Sequence, residues 1–224
     1  MTADPKPSGI PLLTTVWHKS LGEEVTRTTI ELEEDISKSF HSRPCMVIVT
    51  DQKYVLINMH MGKHNAPEDM ADDEKREREK QAMQKTIKVI SDAVSSLLPE
   101  DRKKKTYKVI AGGDTNDWKG MLTKLEYKMS DGQQHLQYAI KEDDKWRHDT
   151  TYVPFKIDET VLTHHDTPGK TCCWHEEPKM FVQRSDHIFF QEHKKYKIAP
   201  DFSITRRDGK EFTFSDHKFV LGLG

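Results

Sequence analysis

Two short apolar blocks joined by a two-residue connection constrain the fold most strongly. The segments 46–51 (MVIVTD) and 54–61 (YVLINMHM) are rich in β-branched and aliphatic residues, and only Gln52 and Lys53 separate them. Apolar runs of this length around a tight connection are typical of buried strands, as a hairpin or as two neighbouring strands of one sheet. We therefore expect a buried sheet at the centre of the protein.

A long amphipathic helix is predicted after this pair of blocks. Its apolar side chains recur at spacings of four, three, four and three residues, which is the period of an α-helix. The stripe consists of Met83, Ile87, Ile90, Val94 and Leu97. The mixed charge run at 72–80 (DDEKREREK) predicts a solvated face with neighbouring ion pairs, and Pro99 is expected to end the helix.

Further strand-like segments lie on both sides of the predicted helix. They cover residues 11–20, 25–34, 107–117, 160–166, 181–190 and 212–223. Strands, one long helix and then more strands predict a layered α/β protein with a largely antiparallel or mixed sheet. We expect a flexible tail at 1–9 and a single domain at 10–224, since a chain of 224 residues suits one core.

Composition excludes several classes of protein. Lys and Arg number 35 against 37 Asp and Glu, so the net charge of -2 gives no independent support for tight nucleic-acid binding, although a local basic groove stays open. No apolar run is long enough for a membrane span, and the N-terminus does not have the pattern of a signal peptide. Three cysteines, two of them adjacent, argue against a disulfide framework. We expect an intracellular protein, cytoplasmic or nuclear.

Polar side chains follow four of the apolar strands, where a rigid strand can present them to a crevice. They are His60, Asp114, Asn116, Asp186, Asp216 and His217. Each block alone has an ordinary interpretation, such as a satisfied core histidine at 60 or a simple Asx turn at 114–117. Together, the oxygen ligands suit Mg²⁺ or Mn²⁺ and the His–Asp pairs suit proton transfer or phosphate binding. This combination is what attack on a phosphodiester requires.

The four blocks in this order resemble the endonuclease/exonuclease/phosphatase superfamily, which has the DNase-I-like fold. The matching segments are NMH at 58–60, GGDTND at 112–117, RSDHIFF at 184–190 and SDHKFV at 215–220. The resemblance spans residues 8–224, and residues 118–180 carry little of it. It implies an α/β protein, a DNase-I-like layered β-sandwich flanked by helices. It also implies a divalent-metal-dependent phosphodiesterase, most simply an endo- or exonuclease acting on nucleic acid.

The resemblance implies a role for each matching residue. Asp114 would orient and activate the attacking water, Asn116 would bind the scissile phosphate, and His60 would donate to a phosphate oxygen. Asp186 would hold and polarise His217, which would act as a base or stabilise the transition state. A separate metal role falls to Asp216, which would ligate Mg²⁺ or Mn²⁺ directly or through water. His187 stands where many relatives carry Tyr, and we treat it as structural.

One departure from the family pattern concerns its first two strands, which end in Asn and in Gln-Glu. Neither is evident here, and the only candidates for the metal-binding glutamate are Glu31, Glu33 and Glu34. They lie too close to His60 in sequence to leave room for the intervening strands. We therefore expect a fold that lacks the first strands, a weakly bound metal, and an open sheet edge that a protein partner covers.

Several alternatives remain open on the sequence. The chain is either an active nuclease-like enzyme or a catalytically impaired relative that serves as a binding or assembly component. The missing Asn and Glu are alternatively supplied by another chain or by upstream sequence. The pair His60 and His64, followed by a charged helix, leaves open an inositol or lipid phosphate phosphatase.

Overall fold

The computed structural model describes residues 13–32, 43–62, 69–98, 107–116, 122, 141–142, 145–146, 153–158, 160–164, 172–176, 179–183, 186–191, 195–198, 203–205, 211–213 and 220–223. Its elements in chain order are a 3-10 helix η1 (Lys19–Leu21), β1 (Glu24–Glu31), β2 (Pro44–Thr50), β3 (Tyr54–His60), α1 (Asp72–Leu97), β4 (Lys108–Asp114), β5 (Lys141–Glu142), β6 (Lys145–Trp146), β7 (Lys156–Ile157), β8 (Thr160–Val161), β9 (Thr163–His164), β10 (Cys172–Glu176), β11 (Lys179–Gln183), β12 (Asp186–Phe190), β13 (Lys195–Ile198), β14 (Ser203–Thr205), β15 (Glu211–Thr213) and β16 (Val220–Leu223).

A mixed sheet of six strands organises the described part of the chain. Its order is β1-β2-β3-β4-β12-β9. The two apolar blocks form the antiparallel hairpin β2–β3, and β3 runs parallel to β4 with α1 as the crossover between them. The remaining neighbours are antiparallel. The prediction of a layered α/β protein with a mixed sheet is confirmed.

The helix α1 covers one face of this sheet with the predicted apolar stripe. Met83, Ile87, Ile90 and Val94 are buried in the core, and Leu97 packs against it. Acidic residues occupy the first turn, where the helix dipole favours them. One residue departs from the predicted solvated face: Glu79 is 5% exposed, since it lies one helical turn before Met83 on the stripe side.

The sheet is buried on both faces, as a layered sandwich requires. Cross-strand partners on the helix side form a row of apolar side chains: Val47, Ile57, Ala111 and Phe189. The next residue pairs form a second row on the opposite side: Ile48, Leu56, Ile110 and Phe190. In this second row Ile48, Leu56 and Phe190 are also buried. Because side chains alternate along a strand, two apolar rows indicate cover on both sides.

The prediction of a strand at 11–20 is wrong for the residues that the structure describes. Residues 13–18 join no strand ladder, and η1 follows them. Side chains hold this segment instead: Asn58 donates to the Thr14 carbonyl at 3.0 Å and to the Thr15 hydroxyl at 3.0 Å, and the Trp17 indole donates to the Gly22 carbonyl at 2.8 Å. The segment therefore crosses β3 rather than extending the sheet.

Two other predicted strands are each divided in two. The segment 181–190 falls on β11, which pairs with β10, and on β12, which pairs with β4 and β9. The segment 212–223 falls on β15 and β16, which pair with β14 and β13. Each apolar run changes its strand partner midway, and the local pattern of residues carries no sign of that change.

The expected tail at 1–9 lies outside the described residues. No helix in the described part of the chain combines the length and apolar character needed to cross a bilayer.

Candidate functional site

Three of the predicted site residues stand side by side at one end of the sheet. His60 ends β3, Asp114 ends β4, and Asp186 begins β12. His60 and Asp114 are register partners, and so are Asp114 and Asp186. Directly opposed residues on neighbouring strands have their Cβ atoms about 5 Å apart. The parallel β3–β4 pair and the antiparallel β4–β12 pair thus bring the three side chains to one edge.

All three side chains belong to the face of the sheet opposite α1. On the same three strands Met59, Ala111 and Phe189 belong to the helix-side core, and alternation along each strand places the site residues on the other side. His187 follows Asp186 and therefore faces the helix side, where it is 1% exposed with its ring centroid 6.1 Å from that of Phe189. It is buried away from the site row.

His60 and Asp114 lie close together in this row. The His60 Nε2 atom lies 3.5 Å from Asp114 Oδ2, and their side chains are 23% and 18% exposed. Both groups are thus partly desolvated but reachable from solvent. A carboxylate beside an imidazole at a strand end can accept a proton or orient a water molecule.

Arg43 is the second neighbour of His60. Its Nη1 atom lies 2.7 Å from His60 Nε2. The residue immediately precedes β2, and the Glu31 carboxylate accepts from the Arg43 backbone N–H at 3.1 Å. The Arg43 carbonyl in turn accepts from the Leu32 N–H at 2.9 Å. The end of β1 therefore fixes the backbone from which the guanidinium reaches the site.

Asn116 stabilises the turn that follows β4. Its backbone N–H donates to Asp114 Oδ1 at 2.9 Å, which is an Asx turn. Its side-chain Nδ2 donates to the Met61 carbonyl at 2.7 Å and to Asp114 Oδ2 at 3.3 Å. The carbonyl partner fixes the orientation of the amide, because only nitrogen can donate to it. Asn116 thus holds both carboxylate oxygens of Asp114, and its role in phosphate binding stays a prediction.

A glycine is required where β4 approaches β3. Gly113 has φ +135°, and a Cβ atom there would overlap the Met59 carbonyl. The Asp114 carbonyl then accepts from the Met61 N–H at 2.8 Å, which extends the β3–β4 pairing past the strand ends. This close approach brings Asp114 level with His60.

The described residues do not by themselves fit a divalent cation. Asp114 and Asp186 offer hard oxygen ligands, but no group of three His, Cys, Asp or Glu side chains among the residues that the structure describes is arranged to hold a metal ion. The predicted ligand Asp216 and the predicted base His217 lie outside the described residues, between β15 and β16. Glu33, Glu34 and His64 lie outside them as well.

Arg43 is the site residue that the sequence reasoning missed. The hairpin register contained a signal for it: Cys45 is opposite Met59, so the residues just before β2 lie level with the end of β3. Counting back from the Gln52-Lys53 connection gives the same result. Glu31, considered above as a metal ligand, instead binds the Arg43 backbone.

Comparisons with known proteins support the fold. No family model matches the sequence, and no curated protein matches it significantly. Among solved structures, an endonuclease/exonuclease/phosphatase family protein from Bacteroides thetaiotaomicron matches with a TM-score of 0.50 and 15% identity, over 89% of this chain and 64% of that chain. A mannosyl-6-phosphatase from the same organism matches with a TM-score of 0.49 and 16% identity, over 90% and 66%. Truncated TDP2 from Caenorhabditis elegans matches with a TM-score of 0.42 and 12% identity, over 89% and 65%.

The first of these matches shows that the chain has the DNase-I-like fold of endonuclease/exonuclease/phosphatase proteins. The fold class implied by the four sequence blocks is therefore confirmed. This chain spans less than two thirds of the length of that protein. Since one fold serves many reactions, the activity has to be argued from the site.

Proposed function

We propose that the chain is a divalent-metal-dependent phosphodiesterase that hydrolyses nucleic acid in the manner of an endo- or exonuclease. The observation that carries this proposal is the alignment of His60, Asp114 and Asp186 on three adjacent strand ends. A row of carboxylates and an imidazole at a strand edge has the groups needed to orient water against a phosphodiester.

Asp114 is the centre of the proposed site. Asn116 hydrogen bonds both of its carboxylate oxygens, so the carboxylate has a fixed orientation before a substrate arrives. A fixed carboxylate can orient water without reorganising during the reaction. Asp186 stands beside it on β12, where it would orient His217, and Asp216 would ligate Mg²⁺ or Mn²⁺.

The decisive experiment is cleavage of plasmid DNA and of RNA with Mg²⁺, with Mn²⁺ and with EDTA. Wild type is compared with Asp114→Ala and His217→Ala, and with Asp92→Asn as the matched control. Asp92 pairs with Lys88 on the exposed face of α1, the helix that covers the face of the sheet opposite the site. We expect cleavage in wild type and in Asp92→Asn, and a loss of at least about a hundredfold in the two site variants.

Each result assigns the chain to one class. Cleavage that EDTA abolishes and that needs Asp114 excludes a catalytically impaired relative. A folded wild type with no cleavage above background contradicts the nuclease proposal. Release of phosphate from inositol or lipid phosphates, without cleavage of nucleic acid, would support the phosphatase alternative instead.

A protein partner at the sheet edge is part of the same proposal. β1 is the edge strand of the six-stranded sheet among the described residues, and Val25 on it is 58% exposed. An edge strand with exposed apolar side chains can pair with another chain. Light scattering during size-exclusion chromatography tests whether a second copy of this chain is that partner. A monomer at high concentration would exclude a second copy.

We also propose an intracellular location for the protein.

A further inference from the structure

The contact between Arg43 and His60 determines which atom of the histidine carries its proton. The two atoms, Nη1 and Nε2, are 2.7 Å apart. Arginine stays protonated in proteins and has no acceptor, so Nη1 is the donor and Nε2 the acceptor. His60 is therefore neutral, with its ring proton on Nδ1. In this tautomer the 3.5 Å approach of Asp114 Oδ2 is a proximity and not an ion pair.

In this tautomer the implied role of His60, donation to a phosphate oxygen, is left only to Nδ1. An Nε2 atom that accepts from Arg43 cannot at the same time donate to a phosphate oxygen. The donor that stands at this position is the guanidinium itself. It is a planar fork with five N–H groups, a geometry that suits phosphate oxygens in pairs. Its positive charge stands next to the His60–Asp114 pair.

We propose that Arg43, held in place by His60 Nε2, donates hydrogen bonds to the non-bridging oxygens of a phosphate group at this edge of the sheet. The inference rests on the proposed function for the class of substrate, a phosphate ester. Arg43 is then the phosphate-binding residue, and His60 is a positioning residue that acts through it. The hydrogen bonds that Glu31 and Leu32 form with the Arg43 backbone also position the guanidinium, because they fix the backbone that carries this side chain.

The binding test uses inorganic phosphate as the probe and EDTA in the buffer, so that no metal contributes. Phosphate is titrated into wild type, Arg43→Gln and Arg43→Lys, and binding is followed by NMR. We expect Arg43→Gln to lose about tenfold to a hundredfold in phosphate affinity, the range for a charge-assisted hydrogen bond. Arg43→Lys keeps the charge but not the fork, so its affinity is expected to fall between the other two.

Arg27→Gln is the matched control. Arg27 also belongs to the β1–β2 side of the sheet, but its side chain is 45% exposed and pairs with Glu24 at 3.4 Å. Removal of the same charge there is expected to leave phosphate affinity unchanged. Equal losses in Arg27→Gln and Arg43→Gln would show a general effect of net charge and would overturn the proposal. Thermal unfolding verifies that each variant is folded. If Arg43→Gln is unfolded, Arg43→Lys replaces it in the comparison with wild type.

A second readout is the tautomer of His60, which reports whether the Arg43–His60 hydrogen bond that the proposal requires forms in solution. Nitrogen-15 NMR of the histidine rings is expected to show an unprotonated Nε2 in wild type and a mixture of tautomers in Arg43→Gln. A protonated Nε2 in wild type would overturn the proposal, and so would equal phosphate affinity in wild type and a folded Arg43→Gln. Absence of phosphate binding to wild type has the same consequence.

The inference and the proposed function fail separately. Phosphate binding that depends on Arg43, in a protein that cleaves neither DNA nor RNA, supports the inference and contradicts the nuclease. Metal-dependent cleavage, with normal phosphate affinity in Arg43→Gln, supports the nuclease and contradicts the inference.

Discussion

His60 and Asp114 end two parallel strands at the same level, and their side chains approach to 3.5 Å. The pairing is possible because α1 returns the chain across the sheet, so that both strands run in the same direction. Both side chains therefore point to one edge, on the face opposite the helix. This relationship is the structural basis of the candidate site and of the predictions below.

Replacement of Asn116 should disturb Asp114 more than it disturbs the fold. Asn116→Ala removes the two Nδ2 hydrogen bonds and leaves at φ 48° a residue that tolerates the left-handed conformation less well than asparagine, so we expect a loss of about 2 kcal/mol in unfolding free energy. Asn116→Gly loses the same hydrogen bonds without the backbone strain, so it should be the more stable of the two variants. Urea unfolding measures the difference.

Cleavage activity of the same two variants distinguishes a loss of stability from a loss of orientation of the Asp114 carboxylate. If Asn116 acts by holding the Asp114 carboxylate, both variants should lose activity to a similar degree although their stabilities differ. Activity that follows stability instead would argue against an orienting role.

Gly113→Ala should be strongly destabilising. The backbone has φ +135° and the new Cβ atom would overlap the Met59 carbonyl, so β3 and β4 would have to separate. We expect a loss of more than about 2 kcal/mol. Gly112→Ala is the matched control, since its Cβ atom would lie 3.4 Å from the His187 carbonyl and no positive φ is involved. Equal unfolding midpoints for the two variants would contradict the close approach described here.

Truncation of an apolar side chain on α1 should show how much the helix stripe contributes to the stability of the core. Ile90 is 0% exposed between α1 and the sheet. Ile90→Ala is therefore expected to cost about 2–5 kcal/mol, the range for removing a buried aliphatic side chain. Gln84→Ala, at an exposed position of the same helix, should change stability by less than about 0.5 kcal/mol. A small effect of Ile90→Ala in denaturant unfolding would show that the helix packs loosely.

The Cys45 thiol should resist ionisation. Burial raises its pKa from 9.0 to about 12, because the thiolate would lose its hydration. The folded state thus holds the proton to higher pH than the unfolded state does. The contribution to stability is complete below pH 9 and is lost as the pH rises from about 9 toward 12, at about 1.4 kcal/mol per unit.

Two measurements examine this thiol. In native protein at pH 8, Cys45 should react slowly with thiol reagents and become reactive on unfolding. Between pH 8 and 10.5, the unfolding free energy of wild type should fall more steeply than that of Cys45→Ala, which lacks the group. Parallel pH profiles for the two proteins would contradict the raised pKa.

Much of the architecture could be predicted from local patterns. The hairpin β2–β3 and the stripe of α1 follow from apolar spacing, because strands and helices bury side chains with different periods. The position of His60, Asp114 and Asp186 at strand ends could be predicted for the same reason. The division of 181–190 between β11 and β12 could not be predicted, because the choice of strand partner depends on residues distant in sequence.

The sequence by itself determined the hairpin β2–β3, the helix α1 and which side chains occupy the strand ends, because alternation, helical period and polarity are local properties. The tertiary structure decided the register that sets Asp114 between His60 and Asp186, the close approach at Gly113, and the placement of Arg43 on His60. These depend on distances between segments that only packing brings together. The chemistry proposed for the site rests on both: residue types from the sequence, and their orientation from the fold.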